Sequence, residues 1–512
     1  MCGPIRTLLR LRASLPLVSL GVPRTRLLSL ALVALLAGCG GGNSPSSGDS
    51  TVVETPATGG TIEWKNCEDD TTLKCARFEV PYDYQNPDIG TFSLNLVMHP
   101  ASDPTRRIGP MLVNPGGPGF GGSYLAESPT SFFGSDLIEV FDIVGWDPRG
   151  TGDSTPAVDC VDDYDQYFAY DPSPDSDAER DVAVQAGRDF VAECEKKSGE
   201  ILQYISTNNS ARDMDRIRAA LGVDKITYFG FSYGSELGAA WATMFPNTVR
   251  AAVLDGASDP NSGYVQGGLD QAKGFETELN KFLADCSSRP TCEIYNGGNA
   301  EKAFDDLMVS LDKNPLVVTS DRSPVNQGVA LTAVAQAMYS STLWPTLETA
   351  LGEARRGVGS FLLSMYDEYY QRSYDGKYGN ELEAFNAIMC LDDPGPKSVE
   401  GVNDYYEDFE KVAPRLGSSF ATGYVCTFWP TKTDTRVTIT GKNAGPIVVI
   451  GTTGDAATPL QSSRNMAKAL EDGRIIVVTD NRHTGYGSNQ CVVDAANNYI
   501  ITTEISWSEK SC

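Results

Sequence analysis

Residues 225–241 read KITYFGFSYGSELGAAW and divide into three parts. The first, KITYF, is a short β-branched and aromatic run of the kind that forms a buried strand. Gly230-Phe231-Ser232-Tyr233-Gly234 then fits G-x-S-x-G, in which a serine rides a strained strand-to-helix turn and glycines let the backbone close around it. SELGAAWATMF, which follows, reads as a helix. The five-residue pattern is weak by itself, and the strand before it and the helix after it are what give it weight. Strand, tight turn and helix in succession are the unit of a doubly wound α/β sheet.

The same unit recurs outward in both directions. PMLVNPGGPG begins at Pro110, FDIVGWDPRG at Phe141, RAAVLDG at Arg250, GPIVVIGTTGD at Gly445 and RIIVVTDNRH at Arg474. Each is a continuous apolar run ending in a glycine- or proline-containing turn, and helical patterns such as ARDMDRIRAALG and SRNMAKALEDG lie between them. Strands buried on both faces read this way, and their alternation with helices implies a mostly parallel sheet. CARFEVPYDY and GTFSLNLVMHP, nearer the start, alternate in polarity and suit an antiparallel edge hairpin. Between residues 258 and 443 the strand signal lapses into helical and aromatic-rich segments such as SMYDEYYQRSYDGKYG. Because the chain must return to finish the sheet, this stretch is expected to be a largely helical cap inserted into a core made of 61–257 and 444–512.

A serine hydroxyl needs a base to take its proton and an acid to orient that base. The chain has two histidines, and only His483 follows Ser232; the other, His99, precedes the core strands and reads as a strand-edge residue. His483 therefore becomes the base. It follows RIIVVTD, which would deliver it to the carboxyl edge of the sheet, where open α/β sheets bind ligands. Asp455, at the end of the preceding strand, is the expected acid, with Asp480 as the rival in the histidine's own loop. The 115–119 loop, Pro-Gly-Gly-Pro-Gly, is stiff and can aim backbone amides at a developing oxyanion. One donor is expected from Gly117, with Gly116 as the alternative, and a second from the amide of Tyr233. The letters GPGFGG also satisfy a dinucleotide-binding fingerprint. That reading leaves the serine turn and the single downstream histidine as coincidences, so no cofactor is expected.

The ends of the chain bear on location. Residues 1–38 hold five arginines and no acid, and the run LLSLALVALLAG leads into Cys39, as in an export signal. Leu36-Ala37-Gly38-Cys39 resembles a lipobox, so Cys39 is the expected lipidation site, followed by a Gly/Ser/Thr/Pro-rich tether over 39–60. The chain is then exported and lipid-anchored at the cell envelope, with secretion as the alternative. Acidic residues outnumber basic ones by 67 to 41, and losing the leader's arginines widens the gap, which argues against nucleic acid as a partner. Of 12 cysteines, ten remain beyond Cys2 and Cys39, an even number that in an exported protein argues for disulfides. Short spacings favour Cys67–Cys75, Cys286–Cys292 and Cys491–Cys512, and Cys160–Cys194 with Cys390–Cys426 would complete the set. No metal site is expected, since no paired C-x-x-C spacing appears and histidines are so few.

From Trp64 to Cys512 the chain resembles the exported tripeptidyl aminopeptidase-like branch of the proline iminopeptidase family, within the α/β-hydrolases. The resemblance rests on VNPGGPGFGGS, VGWDPRGTGDS, YFGFSYGSELG, VLDG, AIMCLDD and GDAATP, with the histidine loop and the C-terminal cysteines. It implies an α/β-hydrolase fold with a helical cap, Ser232 as nucleophile, Asp455 as acid and His483 as base, and peptide substrates with a free amino end. Intracellular proline iminopeptidases begin their oxyanion motif with histidine where this chain has Pro115, which departs from a strict one-residue proline preference. A free ammonium calls for carboxylates, and Asp392 and Asp393, beside Cys390, are the candidates. Arg149 of DPRG is expected to be structural. Two other functions fit the same residues: a carboxylesterase on small acyl esters, and a catalytically silent surface binding protein.

Overall fold

The computed structural model describes residues 53–512, Asp175 excepted. The expected leader, Cys39 and the tether as far as residue 52 lie outside the described residues. Strands β1 (Lys65–Asn66), β2 (Lys74–Pro81), β3 (Thr91–His99), β4 (Gly109–Asn114), β5 (Phe141–Trp146), β6 (Ile226–Phe231), β7 (Val249–Asp255), β8 (Ile447–Thr452), β9 (Gly473–Val478) and β10 (Glu509–Ser511) form one sheet. Its order is β1-β2-β3-β5-β4-β6-β7-β8-β9-β10, antiparallel as far as β5 and parallel from β5 onward.

Burial explains the two styles of strand. β5 and β8 are buried along their whole length, so both faces must be apolar. Leu112, Val144, Tyr228, Leu254 and Val449 point to one face, and Val113, Ile143, Phe229, Val253 and Ile450 to the other. β2, near the edge, alternates buried with exposed residues and pairs with β3 as the expected hairpin. His99 ends β3 opposite Ile143.

After β7 the chain leaves the sheet at Asp255 and returns at Ile447. The intervening segment is helical, with two isolated bridges, Leu316 to Val325 within it and Ser340 to Arg482 of the histidine loop, and has its own apolar core around Phe275, Phe282, Leu331 and Tyr366. A long helix before the serine turn, Asp177–Ser198, also packs against this layer: a Cβ on Gly187 would lie 3.2 Å from Tyr424 Cβ. The three cysteine pairs favoured by spacing are disulfides, and so are Cys160–Cys194 and Cys390–Cys426, which complete the set.

One boundary differs from expectation. The tether expected to reach residue 60 is already docked at Glu54, which ion-pairs with Arg212 at 2.6 Å, and the Ala57 carbonyl accepts from Arg218 at 2.8 Å. The tether is held here because half-buried Arg212 and buried Arg218 supply donors that the Glu54 carboxylate and the Ala57 carbonyl can reach.

Candidate active site

Ser232 joins β6 to the helix Tyr233–Met244 with φ 54° and ψ −127°, a strained backbone for a residue with a side chain. The flanking glycines permit it. A Cβ on Gly230 would lie 2.3 Å from the Gly234 carbonyl oxygen, and one on Gly234 would lie 2.7 Å from Asn114 Oδ1. The Ser232 amide donates to the Asp255 carbonyl at 2.7 Å, which ties the turn to the end of β7.

His483 lies in the loop after β9. Its Nδ1 is 2.9 Å from each oxygen of Asp455, which sits past the end of β8. The Thr458 hydroxyl donates to Asp455 at 3.0 Å and stands 3.2 Å from Nδ1, so three oxygens surround that nitrogen. A carboxylate there places the ring proton on Nδ1 and leaves the Nε2 lone pair as the acceptor. Burial pulls the imidazole pKa down, but the charges of Asp455 and Asp255 outweigh it and the net shift is upward. Asp480 is engaged elsewhere, accepting the Asn481 amide at 2.7 Å. The loop is pinned from below by Asp255, whose side chain accepts the Gly485 and Tyr486 amides at 2.7 and 2.8 Å.

Ser232 and His483 thus meet at one sheet edge. Asp255 holds both backbones, and a Cβ on Gly256 would lie 3.2 Å from His483 Cε1. Nε2 is buried and has no hydrogen-bond partner among the described residues, so the bond to the serine hydroxyl is not formed here. Such bonds are commonly long before substrate arrives.

Of the expected oxyanion donors, Gly116 is corrected. Its amide donates to Asn114 Oδ1 at 2.9 Å, and a Cβ there would meet the Phe231 carbonyl oxygen at 2.5 Å, so Gly116 is packed against the serine turn. Gly117 lines the cavity beside Ser232. The amide of Tyr233 is the first of its helix, where no intrahelical acceptor exists.

The cavity above Ser232 measures about 340 Å³ and is walled by Tyr264, Tyr339, Phe385 and Met389 from the insertion. The two expected ammonium-binding acids separate. Asp393 lines the cavity and pairs with Arg436 at 3.2 Å. Asp392 does not: it is 2 % exposed and turned into the core, where Thr207 donates to it, so its assignment as a substrate-binding residue is corrected. Consecutive residues at a helix end point about 100° apart, which sends one to the cavity and the other inward. Sequence reasoning missed Glu236, which lines the cavity and ion-pairs with Arg436, and it missed Thr458 and Arg436 too. Glu236 was within reach of it, since four positions after Ser232 on a helix is the same face. Arg436 carried no signal. Glu236, Asp259, Asp270 and Asp393 face a single cation, Arg436, among the described lining residues. The cavity is therefore negative and favours a positively charged group. Arg149 is structural as expected: fully buried, it pairs with Asp213 at 2.6 and 2.7 Å and caps the Tyr82 and Tyr204 carbonyls.

A family model described as the alpha/beta hydrolase fold matches residues 109–489. The chain is 33% identical over 500 residues to "Serine protease Hip1" of Mycobacterium tuberculosis, covering 92% of this chain and 94% of that protein. It is 35% identical over 461 residues to "Carboxylesterase B" of the same organism, covering 86% and 87%. To the "Tripeptidyl aminopeptidase" of Streptomyces lividans it is 28% identical over 478 residues, covering 88% and 86%.

Proposed function

The chain belongs to the alpha/beta hydrolase family, and from that premise we propose that it is a serine peptidase releasing short peptides from free amino ends through an acyl-enzyme. Ser232 Oγ attacks the scissile carbonyl while His483 Nε2 takes its proton. The amides of Gly117 and Tyr233 hold the oxygen as it gains charge. Imidazolium, steadied by Asp455, returns the proton to the leaving amine, and water then repeats the sequence to free the acid. The observation that carries this reading is the enclosed Nδ1 of His483 at the edge where the strained Ser232 sits.

The acidic lining supports an amine-bearing substrate. Asp393 and Glu236 are the carboxylates nearest to hand for its ammonium, each already balanced in part by Arg436. The relative named as a carboxylesterase favours a second reading, hydrolysis of small acyl esters by the same residues. A chromogenic tripeptide amide compared with its N-acetylated form decides between them. Loss of turnover on acetylation is expected, and equal turnover of both forms overturns the aminopeptidase reading. The same proposal includes location: a lipid on Cys39 holds the enzyme at the cell envelope, supported by the basic leader, the apolar run and the Leu-Ala-Gly-Cys tetrad. Fractionation of a Cys39→Ala variant tests it.

A further inference from the structure

Asp392 is left without a role by the correction above, yet it is not idle. It ends the helix Glu381–Asp392, and the Thr207 amide donates to its Oδ1 at 2.9 Å. The Thr207 hydroxyl donates to its Oδ2 and also touches the Tyr233 hydroxyl. Because the single threonine proton goes to the carboxylate, the tyrosine donates to Thr207 Oγ1. A chain of hydrogen bonds therefore runs from the insertion to the ring of the residue just after Ser232. Tyr233 has only two side-chain torsions, so fixing the far end of its ring constrains where its own amide points.

The same helix touches the other half of the oxyanion site. A Cβ on Gly119 would lie 2.3 Å from the Glu381 carbonyl oxygen and 2.7 Å from the Phe385 amide nitrogen, so its first turns sit on the loop that carries Gly117. The Cys390–Cys426 disulfide ties down its last turn. One helix thus spans both amides that the proposed acyl transfer uses.

We propose that Asp392 is a positioning residue for acyl transfer, acting through Thr207 to hold Tyr233, and with it the Tyr233 amide, where the oxyanion forms. This rests on the serine-hydrolase reading above. The ionised carboxylate accepts both Thr207 donors, whereas the neutral acid accepts them less strongly. Burial raises the Asp392 pKa to about 8, with Asp434 and Asp393 adding to the shift. Tyr233 also faces this group, while the Arg436 amide donates to the Asp392 backbone carbonyl at 3.3 Å and its guanidinium pairs with Glu236 and Asp393.

The test measures kcat and KM for a free-amine tripeptide amide from pH 6 to 10. Thr207→Val, which cuts the chain, is expected to lower kcat about 10- to 100-fold with KM within about twofold, since the oxyanion exists only in the transition state. Thr207→Ser keeps the hydroxyl and holds kcat within about threefold of the parent. The parent's kcat climbs a second time between about pH 7 and 9, and Asp392→Asn, which fits the same space but does not titrate, lacks that climb. Labelling by a fluorophosphonate probe accompanies each sample. If the parent labels but Asp392→Asn shows the same second climb, or Thr207→Ser is as impaired as Thr207→Val, the positioning role is overturned alone. If the parent neither labels nor turns over, the serine-hydrolase reading falls and this proposal falls with it.

Discussion

His483 shows how much one side chain can be asked to do when a chain has few alternatives. Its Nδ1 is committed to Asp455, and its Nε2 is buried with no hydrogen-bond partner among the described residues. A protonated imidazole cannot accept a proton, so kcat/KM should fall as pH drops through the histidine's pKa. Because the neighbouring carboxylates raise that pKa, the fall should be centred above the ordinary histidine value. Asp455→Asn removes the charge and should move the inflection down while lowering kcat by about 10⁴. A pH–rate profile checks both, and one that stays flat to pH 4 rejects His483 as base. Residue identity was legible here because elimination sufficed: one histidine lay downstream of Ser232. Asp392 and Asp393 were not separable, since sequence gives neighbours but not which way a helix end is rolled against its surroundings.

Elements were legible in proportion to how completely they are buried. β4 to β9 read as continuous apolar runs because both faces are covered, while the short, largely exposed β1 and β10 carry no pattern to find. The insertion announced itself only as a lapse, since helices packing on one another at many angles leave no single period. Between these, the DPRG turn after β5 is held by the Asp147 carboxylate, which accepts the Ser123 and Asp153 amides at 3.0 Å, and by a buried ion pair. Arg149 and Asp213 are both 0 % exposed, and the arginine also satisfies carbonyls of the β2 end and of Tyr204. Replacing it by Met leaves Asp213 buried without its partner, so Arg149→Met should lose about 3–5 kcal/mol in urea unfolding. Asp213→Asn added to that variant should recover part of the loss. Equal stability of Arg149→Met and the parent would mean that the ion pair does not hold this turn.

At the scale of the whole molecule, the large features follow from composition and spacing more than from any single motif. The excess of acid appears again in the cavity, where four carboxylates meet one guanidinium. Local cysteine spacing anticipated three of the five disulfides because bridges across short loops need little chain reorganisation, and the other two were the cysteines left to complete the set. The proposed attachment to the envelope rests on Cys39, which lies outside the described residues. Cys39→Ala should therefore shift the protein from the membrane to the soluble fraction while leaving peptide turnover per molecule within about twofold. An unchanged distribution would point to a different anchor.

The excursion between β7 and β8 also sets a schedule. As the chain is synthesised from its amino end, Ser232 emerges well before Asp455 and His483, which arrive only after the whole helical layer has been made. Until the last strands dock, a nascent copy carries Ser232 without the Asp455–His483 pair, so on the proposed mechanism it cannot yet cleave.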